Sequence, residues 1–236
     1  MARVYLDHNA TTPLDPRVRE AMLPWLDERF GNPSSLHRRG REARDAVDEA
    51  RAREAGLLGA RPSEIVFTAS GTEANNTVLG QAGLEARGRG RIVLSAMEHP
   101  SIRQAAARLE AAGLEVVRIP PGPDGVVPAE AMIAALTPET RLACLMLANN
   151  ELGTIQPVAR VGRACRSRGV PFLTDAVQAV GKVPVDVEEL GADYLVIGAH
   201  KFHGPLGAAA LWVRPGAGLA PFLAGGGQER GRRAGT

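Results

Sequence analysis

From residue 65 onwards the sequence alternates between short apolar runs and stretches that read as helix or turn. The runs are IVFT (65–68), RIVLS (91–95), LEVVRI (114–119), RLACLML (141–147), PFLTD (171–175), DYLVIG (193–198) and AAALWV (208–213). A strand that is apolar along its whole length, not only at every second residue, is buried on both faces, which requires helices on either side of a mostly parallel sheet. The pattern predicts one α/β, doubly wound domain. Between the runs, helices are expected from about Thr72, from Ser101, from Pro128 to Leu136 and from Val158 to Arg168.

Ahead of the alternation, an early strand is expected over Val4–Leu6. Asp15 followed by Pro16 predicts an N-cap and first turn of a helix reaching about Glu28, with Gly31 closing it. Leu36 to Gly59 reads as a long, charged, amphipathic helix. Its arginines are interspersed with acids in REARDAVDEARARE (41–54), the pattern of a solvated face, and the formal charge is only +2, so nucleic-acid binding is not expected. Cys144 and Cys165 have no CxxC spacing, and neither a disulfide framework nor a metal site is expected. A reducing cytoplasm fits that cysteine usage. No apolar run reaches membrane-spanning length and no signal core opens the chain, so secretion and membrane insertion are not expected.

In doubly wound sheets, ligands bind beyond the carboxyl ends of the strands. Here those ends are polar: ASGTE follows IVFT, EHPS follows RIVLSAM, NNELG follows RLACLMLA, AVQ follows PFLTD, and AHKFHGP follows DYLVIG. In SGTE, Gly71 at a strand-to-helix turn and the hydroxyl of Thr72 suit a phosphate; equally, Ser70 and Glu73 form a helix capping box. Asp175 either caps its turn or pairs with a protonated ring nitrogen, with Gln178 donating a further hydrogen bond. His99 is a turn residue or a proton carrier, and Asn149 and Asn150 shape a loop or form a polar rim.

Lys201 is the sharpest signal. The chain has 28 lysines and arginines, of which only Lys182 and Lys201 are lysines. Arginine stays protonated in a protein, whereas a lysine amine among cationic or poorly hydrated groups can lose its proton and attack a carbonyl to form a Schiff base. Lys182 reads as a surface lysine; Lys201, between His200 and His203, does not. A phosphate cup, a carboxylate for a ring nitrogen and a lysine for an aldehyde together suit pyridoxal 5′-phosphate.

The sequence resembles the class V, fold-type I pyridoxal-phosphate enzymes, and among them the cysteine desulfurases. The blocks that carry the resemblance run in order through the chain: YLDHNATTPLDPRV, FGNPSSLHRRG, FTASGTEANN, EHPSI, NNELGTIQPV, TDAVQAVGKVPVDV, AHKFHGPLG and GGGQERGRRAGT. The resemblance implies a large cofactor-binding domain over residues 15–236 and an N-terminal segment, 1–14, that in the family packs near a small domain. It implies that Lys201 holds the cofactor aldehyde, Asp175 the pyridinium nitrogen and Gln178 the phenolic oxygen. It also implies that His99 stacks on the ring and moves protons, that Gly71, Thr72 and His200 contact phosphate, and that Asn150 lies near the ring oxygen and the substrate carboxylate. Thr236 matches a threonine that reaches the phosphate of a neighbouring subunit, which implies a homodimer.

The implied reaction converts L-cysteine to L-alanine, with sulfur passing to an enzyme thiol and on to an iron–sulfur scaffold or other acceptor protein. A selenocysteine lyase on the same scaffold, or a non-catalytic sulfur-assembly module, are the alternatives. Two departures from the family pattern stand out. Gly198 replaces a usual serine or threonine, and after GRRAGT the small C-terminal domain and its cysteine-bearing loop are expected to be missing. Neither Cys144, in an apolar strand, nor Cys165, in a helix, is expected to replace that thiol.

Overall fold

A computed structural model describes residues 4–235. Asp15 accepts from Arg17 N and so starts α1 (Pro16–Leu26), which has no buried residue and ends two residues earlier than expected. Next comes α2 (Arg38–Leu57), then the alternation: β1 (Ile65–Thr68), α3 (Gly71–Ala86), β2 (Arg91–Ser95), α4 (Pro100–Ala111), β3 (Glu115–Ile119), α5 (Ala129–Ala135), β4 (Thr140–Cys144), α6 (Val158–Ser167), β5 (Phe172–Asp175), a short α7 (Val187–Leu190), β6 (Tyr194–Gly198) and β7 (Ala209–Val213). The seven expected runs from residue 65 onwards are the seven strands. β4 is shorter than RLACLML, yet Leu145 N and Leu147 N still donate to Leu173 O and Asp175 O, so the run stays bonded to β5 to its end.

The strands form one sheet in the order β1-β7-β6-β5-β4-β2-β3, in which only β7 runs against the others. Both faces are covered, which is why the strands carry no polar alternation. In β6, Tyr194 and Val196 pack with α3 and α4 residues such as Val78 and Ile102. Leu195 and Ile197 point the other way, into a cluster with Leu58, Met132, Val161 and Phe172 from the α2, α5 and α6 side. No described helix is long and apolar enough to cross a membrane.

Two expectations fail. Val4–Leu6 is not a strand: Val4 and Leu6 are 78% and 87% exposed, and no ladder pairs them. Three residues bury too little to form a strand without a partner edge. The next residues are held instead against the turn after β6, with Thr12 N donating to His200 O and Asp15 N to His203 O. Nor is the arginine-rich face of α2 wholly solvated, because Arg51 is 5% exposed.

Candidate active site

Five strands running the same way deliver their carboxyl ends to one edge of the sheet, and there the structure has a cavity of about 420 Å³. That volume suits a small cofactor or substrate. Its lining includes all eight expected site residues that the structure describes: Gly71, Thr72, His99, Asn150, Asp175, Gln178, His200 and Lys201. Thr236 lies outside the described residues.

At the first wall, Ser70 Oγ accepts from Glu73 N and caps α3, while the Glu73 carboxylate takes Ala69 N–H and pairs with Arg233 at 2.8 Å. The capping and ligand readings of this turn are thus compatible: Ser70 and Glu73 start the helix, and Gly71 and Thr72 line the cavity. A Cβ on Gly71 would sit 3.1 Å from Val177 Cγ2, so this wall has room only for glycine without a shift.

On the floor, Asp175 is 5% exposed. Its Oδ2 accepts from Asn75 Nδ2 at 2.8 Å and its Oδ1 from Val177 N at 3.0 Å, so it also caps its own turn. Burial pushes its carboxyl upwards; the Asn75 and Val177 hydrogen bonds, then His99 and Lys201, oppose that shift. The same Asn75 amide donates to Ser101 Oγ at 3.0 Å, and Ser101 Oγ lies 2.8 Å from His99 Nδ1. Ser101 N also donates to His99 Nδ1, which must therefore be an acceptor, leaving the ring hydrogen of neutral His99 on Nε2. His99 both caps α4 and lines the cavity, and a continuous hydrogen-bonded path joins it to Asp175.

Lys201 Nζ donates to Asn9 O at 2.6 Å and Ala10 O at 2.7 Å. Partial burial lowers its basicity, Lys182 lowers it further, and Asp175 and Asp7 act the other way. His200 Nδ1 lies 3.2 Å from Thr11 Oγ1, and burial, then the charge of Lys201, pushes its ring down. Gln178 Nε2 donates to Asn9 O at 2.9 Å. Asn149 shapes its loop, accepting from Glu151 N and Leu152 N, while Asn150 lines the cavity and its carbonyl accepts from Asn9 Nδ2.

Sequence reasoning missed Asn9, Asn75, Ser101 and Glu98. Asn75 follows the GTE turn by two residues, as the fifth residue of α3, and that position was its only signal. Asn9 lies in a segment with no periodicity to read. Glu98 is 1% exposed beside the site; its Oε1 accepts from Met146 N at 2.8 Å and its Oε2 has no partner among the described residues. Burial pushes its carboxyl up to about 8, which keeps it protonated at neutral pH.

Because Glu98 binds a proton more tightly folded than unfolded, its stabilising contribution is complete below about 4.5, the ordinary value, and is lost as pH rises to about 8. Glu98→Gln removes that titration. Denaturant unfolding at pH 5, 6.5 and 8 is expected to show the wild-type chain losing a few kcal/mol relative to the variant across that window. A parallel pH dependence in both proteins would rule it out.

A family model described as aminotransferase class-V matches residues 4–232. The cysteine desulfurase IscS of Dictyoglomus turgidum is 45% identical over 234 residues, covering 99% of this chain and 59% of that protein. Among solved structures, a NifS-like protein superposes with a TM-score of 0.96 at 40% identity, over 100% of this chain and 65% of the other. SspA in complex with cysteine superposes with a TM-score of 0.95 at 38% identity, over 99% and 68%. The chain spans 59% and 58% of the length of two curated relatives that it matches. Since the matched residues include every described element that lines the cavity, the chain belongs to the class-V aminotransferase family.

Proposed function

We propose that this chain is the cofactor-binding part of a pyridoxal-phosphate-dependent cysteine desulfurase, with L-cysteine as substrate. The observation that carries the reading is the convergence of Lys201 and Asp175 on one cavity whose wall is the start of α3. The residues fit the cofactor on their own chemistry. Asn75 Oδ1 is buried without a partner among the described residues, next to the Asp175 carboxylate, so the floor offers acceptors to an N–H donor such as a protonated ring nitrogen. The first turn of a 16-residue helix, with glycine at its head, suits a phosphate.

When bound, the cofactor supplies an electron sink for the substrate α-carbon. The chain's own groups do the rest. Asp175 would hold a proton on the ring nitrogen, because a buried carboxylate gains most from a cationic partner. Lys201, its basicity lowered by burial, would hold the aldehyde and, once released from it, take the proton from the substrate α-carbon. His99 presents Nε2 as the nitrogen free to exchange a proton with the substrate, and Gln178 and Asn150 orient polar groups at the rim.

Neither cysteine suits the role of sulfur acceptor. Cys144 is fully buried and burial drives its thiol well upwards, while burial pushes Cys165 up to about 12. Both are therefore thiols, not nucleophilic thiolates, at neutral pH. L-Cysteine is expected to shift the visible absorbance of the cofactor-loaded chain while sulfide stays at background. A spectrum that L-cysteine leaves unchanged would overturn the substrate assignment, and alanine-coupled sulfide release would overturn the exclusion of both cysteines. We also propose homodimerisation and transfer to an iron–sulfur scaffold or other sulfur-accepting protein, on the resemblance of the chain to desulfurases; sedimentation of the loaded chain tests the first.

Gly198 supports a further prediction. Its φ is −138°, open to any residue, and a Cβ there would meet Val177 at 3.4 and 3.6 Å, ordinary contact distances. Gly198→Ser therefore fits and adds a hydroxyl to the cavity wall. One charge-assisted hydrogen bond is expected to tighten cofactor binding about tenfold. Fluorescence titration of the two proteins checks it; equal or weaker binding by the serine variant counts against a phosphate at this wall.

A further inference from the structure

The chain's two lysines, 19 positions apart in a protein that otherwise uses arginine, meet at one residue. Lys201 Nζ binds Asn9 O, and Lys182 Nζ lies 3.3 Å from Asn9 Oδ1 and 2.7 Å from Gln178 Oε1. Gln178 Nε2 closes the ring by donating to the Asn9 carbonyl at 2.9 Å. Lys182 is thus not the incidental surface lysine that its sequence context suggests. We propose that Lys182 is a positioning residue of this site: with the Asn9 carbonyl, its ammonium anchors the Gln178 amide, and it holds a second positive charge against the Asn9 segment that Lys201 binds.

An ammonium can only donate, so the Gln178 atom facing it must be the carbonyl oxygen, and the amide N–H₂ is turned the other way. The Asn9 carbonyl can only accept, so it faces that N–H₂ and the two contacts hold the amide in one orientation from both ends. The second charge works on Lys201 directly, since a like charge disfavours the protonated amine. Burial of Lys201 acts in the same direction. Asp175 from the end of β5 and Asp7 from the N-terminal segment oppose both, His200 adjoins Lys201 in sequence, and His99 faces the cavity from the start of α4. Lysine suits position 182 because a flexible stem carrying a compact charge reaches two oxygens on different segments.

The inference rests on the proposed role of Lys201 and Gln178, but it can be tested without cofactor. Lysine labelled with ¹³C at Cε introduces two side-chain signals, and Lys182→Met identifies one by removing it. In the cofactor-free chain, the Lys201 signal is expected to titrate at a higher pH in Lys182→Met than in wild type, whereas Lys182→Arg, which keeps the charge, stays at the wild-type midpoint. Lys182 is exposed, so both variants are expected to fold. An unmoved midpoint in Lys182→Met, or the same upward movement in Lys182→Arg, overturns the proposal. Failure of cofactor to attach at Lys201 in wild type would instead overturn the functional reading and leave the titration result standing.

Discussion

Lys201→Arg is expected to yield a folded chain that holds no covalently attached pyridoxal phosphate. The substitution keeps a cation of similar reach, so donation to Asn9 O and Ala10 O can persist and the N-terminal segment can stay docked over the cavity. What it removes is an amine able to give up its proton. A guanidinium has a pKa above about 12 and offers no lone pair to an aldehyde at neutral pH. After borohydride reduction, mass spectrometry should find the cofactor on the peptide containing residue 201 in wild type and a loss of at least about a hundredfold in the variant, with the visible band gone. Thermal unfolding of the cofactor-free proteins separates chemistry from folding, and the two midpoints should agree within a few degrees. A variant that retains the reducible adduct would place the attachment elsewhere, and Lys182 would be the first residue to examine.

The second large effect is on stability. β1 is the end strand of the sheet, bonded to β7 on one side only, so its outward groups need partners. A buried ion pair supplies them. Arg51 Nη1 donates to Ile65 O at 2.9 Å, Glu229 Oε2 accepts from Phe67 N at 2.9 Å, and the two side chains bind each other through two bonds of 2.7 Å. Arg51 and Glu229 therefore satisfy the edge as a neighbouring strand would, and they pin the turn at residues 228–231 to α2. The Arg51 guanidinium also lies 4.7 Å over the Phe67 ring.

Arg51→Ala leaves a carboxylate that is still largely buried, without its cation. Loss of one partner from such a pair costs about 3–5 kcal/mol, roughly 10 °C or more in a chain of this size. Combining Arg51→Met with Glu229→Gln removes both charges and is expected to restore part of that loss, because no buried charge is left unpaired. Calorimetry of the single and double variants decides it. A change below about 1 kcal/mol for Arg51→Ala would mean that water replaces the pair at the edge.

Much of this site was legible in the sequence because its parts are local. Most of the expected site residues stand at or just after the end of an apolar run, and a run that is buried on both faces fixes where its strand ends. Gly71 and Thr72 begin a helix marked by its own Ser70 cap; Asp175 ends PFLTD; Lys201 follows DYLVIG by three residues. The resemblance then assigned roles to positions that local physics had already singled out, and it alone added His200 and Thr236. Asp175 and His99 were each offered two readings, and the structure bears out the capping reading of both, since each caps its own turn while lining the cavity.

By itself, then, the sequence determined the seven strands, four of the five helices between them (the short α7 was not expected), and which residues stand at the strand ends, because periodicity and capping act over a few neighbouring positions. Only the tertiary structure decided that residues 9–12 fold back onto a turn about 190 positions later, that Asn75 joins Asp175 to Ser101, that Arg51 leaves a solvated pattern to bind Glu229, and that the two lysines converge on Asn9. These contacts leave no period in the sequence. They arise because most polar groups enclosed by the sheet and helices take a partner wherever the fold brings one within reach.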